Sequence, residues 1–113
     1  MIESYSFGSM TVLGERHRND LKIIDKQVIG NWWRKEGHAL YSEDIDDILY
    51  SAVEMLVVGT GAYGSMKVTE EAAKAIAGRG IKLVAVPTRE AVSIFNNHHT
   101  VGKRVAGAFH LTC

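Results

Sequence analysis

The chain has 113 residues, 46% of them apolar, with one proline and one cysteine, Cys113. A chain of this size buries roughly 65% of its unfolded surface around one core, so residues 1–113 are expected to form a single domain with no intrachain disulfide. Thirteen basic side chains balance thirteen acidic ones, which excludes a global field for nucleic acid, an anionic membrane or an acidic substrate.

In chain order, Tyr5-Ser6-Phe7, Met10-Thr11-Val12-Leu13 and Leu21-Lys22-Ile23-Ile24 read as short strands separated by turn residues at Gly8, Gly14 and Asn19-Asp20, which predicts antiparallel pairing. Residues 28–35 read as a further strand. Its alternation sends Trp32 and Trp33 to opposite faces, so one indole should lie away from the core. Ser42 is a predicted N-cap, with Glu43 and Asp44 in the first turn and Ile45, Ile48, Leu49 and Ala52 at helical spacing. Met55-Leu56-Val57-Val58 is a continuous apolar run, as expected of a strand covered on both faces.

Thr69 caps a second predicted helix that Gly78 and Gly80 close, and residues 81–86 return as a buried strand. The stretch from Met55 to Val86 is therefore read as a parallel, right-handed βαβ unit. Pro87 ends that strand, and Thr88 is taken to cap a third helix through Phe95 that Asn96-Asn97-His98-His99 breaks. A last strand is expected from Arg104 to Leu111. The sum is an α/β domain with an antiparallel β layer supplied by the N-terminal third.

Gly59-Thr60-Gly61-Ala62-Tyr63-Gly64 has dinucleotide-fingerprint spacing, but Ser65 to Val68 separate it from the next helix and no ribose-binding acid ends the following strand. A modest anion or nucleotide-like site remains the expectation, with Gly59, Thr60, Gly61, Gly64, Lys67, Thr88 and Arg89 at two adjacent strand exits. No metal is expected, because His110 and Cys113, three apart on a strand, would face opposite sides, and His98-His99 reads as a surface pair. The carboxylate at a chain-terminal Cys113 opposes thiolate formation, and His38 reads as a turn position as readily as an acid or base.

Arg16, Arg18, Arg34 and Lys35 around the two tryptophans suggest nucleic acid. The interleaved acids Glu15, Asp20 and Glu36 favour instead a protein interface at Trp32 and Trp33, one indole pointing outward. The opening residues lack a leader pattern, the lone cysteine suits a reducing compartment, and no run approaches the ~20 apolar residues of a membrane span; a cytoplasmic protein is expected.

Several of these residues together carry a likeness to a known family. Tyr5-Ser6-Phe7-Gly8, Trp33, Gly37-His38, Val58-Gly59-Thr60-Gly61, Thr88 with Glu90-Ala91, Asn96 and Phe109-His110-Leu111-Thr112-Cys113 are its carriers. On them the chain resembles a family of unknown-function domains that includes mitochondrial complex I assembly factor three and the adipogenesis-associated domain-containing protein, and looks like an archaeal or bacterial member. The resemblance implies a three-layer α/β fold with a mixed central sheet and an added β layer. It implies no established catalytic residue, and no cofactor is expected. The function expected is a non-enzymatic interaction or assembly domain whose partner is a protein, self-association included, with the small-anion binder or enzyme at residues 59–64 as the alternative.

Overall fold

The computed structural model describes residues 1–113. Strands β1 (Ile2–Ser6), β2 (Ser9–Val12) and β3 (Glu15–His17) form an antiparallel meander. The turn between β2 and β3 puts Leu13 and Gly14 at φ values of +50° and +79°, the backbone that matches strand twist in two-residue hairpins. Glu3 holds that turn by accepting from the amides of Leu13 (3.2 Å) and Gly14 (2.6 Å). Strands β4 (Leu21–Ile24) and β5 (Gln27–Ile29) make a second hairpin at Asp25-Lys26.

Strand β6 (Ala39–Leu40) is followed by a 3-10 turn (Ser42–Ile45), α1 (Asp46–Leu49), β7 (Met55–Thr60), β8 (Lys67–Val68), α2 (Glu70–Gly78), β9 (Lys82–Val86), α3 (Thr88–Thr100) and β10 (Val105–His110). The central sheet runs β5-β4-β10-β7-β9. β10 pairs antiparallel with β4 and parallel with β7, and β7 pairs parallel with β9, so the sheet is mixed. β6 and β8 form a separate two-stranded parallel ribbon.

All six residues of both β7 and β10 are buried, as expected of inner strands covered on both faces. Alternation divides them between two cores. Leu56, Val58, Ala106 and Ala108 face Ile45, Ile48, Ala72 and Ile76 on the side of α1 and α2. Met55, Val57, Val105 and Phe109 face Phe95 of α3 and Ile2, Met10 and Val12 of the meander. The result is three layers, an α/β domain architecture in which the antiparallel N-terminal sheet shares one face with α3. No helix is long and apolar enough to cross a membrane.

Local chemistry explains where the elements stop. Thr69 caps α2 as expected, its Oγ1 accepting from the Ala72 amide at 3.1 Å while donating to Leu40 O at 2.8 Å. Ser42 is no cap; Tyr41 takes that place, and α1 ends after four residues because Ser51 donates from both its amide and its hydroxyl to Ile48 O. Ala52 accordingly lies outside the helix and is exposed. Thr88 is the first residue of α3, with Pro87 at the cap position.

The third helix also continues past Phe95 to Thr100. Asn96 does not break it, because its amide leaves the helix to clasp Ile2, accepting from Ile2 N at 3.0 Å and donating to Ile2 O at 2.8 Å. Residues 30–35 are not a strand. Asn31 has φ +51°, and Trp32 N donates to Asp20 O at 2.8 Å rather than to a ladder partner.

Candidate functional site

The parallel strands β7, β9 and β10 end side by side: Gly59 is opposite Val86 on one side and Phe109 on the other. Thr88 ties the three exits together. Its hydroxyl donates to His110 O (2.6 Å) and accepts from Gly61 N (2.8 Å), and its own amide donates to Gly61 O (3.0 Å). The glycine loop then closes on the C-terminal residues, with Ala62 N donating to Thr112 O and Ser65 N to Cys113 O, while Gly64 N donates back to Gly61 O. Those amides already have acceptors inside the protein, so the loop works as a clamp on its own tail.

The residues predicted to hold an anion thus fall into three places. Gly59, Thr60, Gly61 and Thr88 are buried in the clamp. Thr60, Gly64 and Lys67 line an open groove of about 440 Å³ with Val86 and Pro87, where Lys67 Nζ donates to Gly64 O at 3.2 Å. Arg89 stands apart, its guanidinium 5.5 Å from the centre of the Tyr5 ring.

A second cluster lies at the end of β10, around a carboxylate between β3 and β4. Asp20 Oδ2 accepts from Arg34 Nη1 and from His110 Nδ1, each at 2.7 Å, and Asp20 Oδ1 accepts from Leu111 N at 2.8 Å. Arg34 Nη2 also donates to Gly37 O at 2.8 Å. Only 4% of the Arg34 side chain and 8% of the His110 side chain are exposed. Burial alone would raise the Asp20 pKa, but hydrogen bonds from His110, Leu111 N and Arg34 outweigh it and hold the carboxyl below its ordinary value. An ionised Asp20 accepts at Oδ2, which assigns the proton to Nδ1 of His110 and makes Nε2 an acceptor in the neutral ring. The 3.2 Å approach of Arg34 Nη2 to Nδ1 is then a contact between two donors. Arg34 Nε and His110 Nε2 are buried without a partner, and the His38 ring meets His110 edge-on at 5.7 Å.

This cluster fixes the tryptophan pair. Trp32 is 6% exposed, its Nε1 donating to Asp44 O at 3.0 Å and its ring lying 4.7 Å from the Arg34 guanidinium. Lys35 N donates to Asp44 Oδ1 at 3.1 Å. Between these tethered neighbours Trp33 is 79% exposed. One indole does point outward, though from a pinned loop rather than a strand. A cleft of about 370 Å³ opens beside it, lined among others by Arg18, Asn19, Asp20, Arg34 and His110. Phe7 and Tyr63, ring centres 6.3 Å apart and both exposed, flank the C-terminal residues, since Gly8 N and Ala62 N donate to Leu111 O and Thr112 O.

Sequence reasoning weighed His110 as a metal ligand and Arg34 as a nucleic-acid contact, but missed their meeting at Asp20. The available signal was a charged residue directly after two tryptophans. Elsewhere, His99 stacks on Phe95 at 6.0 Å, and no group of three or more His, Cys, Asp or Glu side chains is arranged to hold a metal.

Residues 2–110 match a family model described as a protein of unknown function (DUF498/DUF598). Among solved structures, the chain is similar to a conserved hypothetical protein from Pyrococcus horikoshii OT3, with 25% identity, 100% of this chain and 99% of that one covered, and a TM-score of 0.83. It is similar also to a protein named MT938, with 27% identity, 100% and 98% coverage and a TM-score of 0.83. An outer membrane protein from Bartonella henselae shares the fold at 23% identity, with 99% and 94% coverage and a TM-score of 0.84.

Proposed function

Because the chain belongs to the DUF498/DUF598 family of unknown function, we propose on physical grounds that it is a protein-interaction or assembly domain anchored by Trp33. One observation carries this: a large aromatic side chain, 79% exposed, is held between Trp32 and Arg34, whose side chains are tethered in the fold, with Trp32 N and Lys35 N bonded on either side. Exposed aromatics dominate contact energies at interfaces, and a side chain whose loop is already ordered loses less entropy on docking. The Phe7 and Tyr63 pair extends the exposed aromatic surface around the C-terminal residues. The glycine loop supports this reading too, since its amides serve the tail and its groove is open.

The partner is a protein, a second copy of the chain included. We infer a cytoplasmic setting, in which an unpaired thiol such as Cys113 stays reduced. Nucleic acid is disfavoured by the acids interleaved among Arg16, Arg18, Arg34 and Lys35.

Trp33→Ala tests the reading. It is expected to change unfolding free energy by no more than about 0.5 kcal/mol, because an exposed side chain gives little to the core. It should nevertheless weaken a stoichiometric complex, homomeric or heteromeric, by about 2 kcal/mol or more, roughly a thirtyfold loss of affinity. Native mass spectrometry of the wild-type and variant chains purified from their own source reads both subunit number and partner. A complex of unchanged strength in the variant would contradict the anchor role.

A further inference from the structure

We propose that the cleft between Trp33 and His110 binds a small molecule through its carboxylate group. Its volume, about 370 Å³, lies within the range of small-ligand sites, roughly 300–1,000 Å³. Two guanidinium groups, Arg18 and Arg34, line it against one carboxylate, Asp20. Both oxygens of that carboxylate are engaged: Oδ1 accepts from Leu111 N, and Oδ2 accepts from Arg34 and His110. Its charge is therefore largely compensated, and Arg18, which is exposed, leaves the cleft with a positive remainder.

The buried groups point the same way. Arg34 and His110 are both more than nine-tenths buried at the side chain and both line the cleft, and each has a ring or guanidine nitrogen without a partner. Neither nitrogen is open to the cleft, so a ligand carboxylate meets the exposed Arg18 guanidinium directly, and the charge of Arg34, whose Nη1 and Nη2 donate to Asp20 and Gly37, acts on it through space. Planar, singly charged carboxylate fits this set better than phosphate, because it matches guanidinium geometry and meets less repulsion from Asp20. The exposed Trp33 indole gives the carbon body of the ligand an apolar wall.

The test is a titration of the full, isotopically labelled chain with sodium benzoate, followed by NMR at the Arg34 Nε–H, the His110 ring and both indoles. Sodium phosphate and sodium chloride at matched ionic strength serve as comparison series. Saturable shifts at these groups are expected with benzoate, with a dissociation constant on the order of 1 mM. Arg18→Gln, an exposed change that leaves the Asp20 cluster intact, should weaken binding about tenfold. Shifts that stay linear, an equal response to phosphate, or unchanged affinity in Arg18→Gln would each overturn the proposal. No partner protein is involved, so failure here would leave the anchor role of Trp33 standing, and loss of that role would leave this site standing.

Discussion

Asp20→Ala is expected to lower the free energy of unfolding by about 3–5 kcal/mol, the usual consequence of removing one partner from a buried ion pair. The cause is what remains behind. Arg34, with 4% of its side chain exposed, would keep its charge without a counter-ion, and the Leu111 amide and His110 Nδ1–H would each lose their acceptor. Urea unfolding at neutral pH measures the effect. Arg104→Ala sets the scale, because its pair with Asp25 at 3.2 Å is half exposed and such pairs contribute only about 0–1 kcal/mol. If both variants lose the same small amount, Asp20 is not the keystone of this corner.

The same group gives the protein an acid limit. The folded-state pKa of Asp20 is lowered, so its contribution is fully present above the unfolded carboxyl value of about 3.9 and is lost as pH falls through the folded value. The wild type should therefore lose stability more steeply than Asp20→Ala on acidification below about pH 4.

Gly61→Ala is the second large effect, expected at about 3 kcal/mol of destabilisation from two sources of roughly 1–3 kcal/mol each. Its φ of +104° is a backbone conformation L residues rarely adopt. An added Cβ would also overlap the carbonyl carbon and oxygen of Cys113 and come within 2.8 Å of His110 Cδ2. Backbone cannot move aside as a flexible side chain can, so the tail or the His110 ring must shift. Gly78→Ala is the informative opposite: nothing lies within 4 Å of its added methyl, and it sits in α2, so a gain of about 0.4–1 kcal/mol is expected. Thermal unfolding of the two variants separates them, and a Gly61→Ala protein as stable as the wild type would mean the clamp on Cys113 does not exist in solution.

The parallel crossover from β7 to β9 was legible because its signals are local: an unbroken apolar run, a threonine cap followed by two glutamates, and a second apolar run. The same local logic misread residues 28–35. Two adjacent tryptophans imitate strand alternation, whereas Trp32 is held by Asp44 and Arg34 through bonds that no periodicity encodes. Asn96 reads as a helix breaker because asparagine competes with the backbone, but here its amide serves Ile2, 94 positions away. The glycine loop reads in the sequence as a strand exit open to an anion. What approaches is the chain's own C-terminal residues, and that could not be read before β10 was placed beside β7. Asp20 and His110 are 90 positions apart, so their pairing follows from the antiparallel register of β4 and β10 and from nothing in either neighbourhood.

A buried carboxylate, Asp20, holds the outward Trp33 still through Trp32 and Arg34. Nitrogen-15 relaxation of the backbone amide and indole of Trp33 measures that directly. An order parameter near 0.85, equal to the strands, is the result this account requires, falling in Asp20→Ala. A value below about 0.6 in the wild type would show a freely moving side chain and loop, and would contradict it.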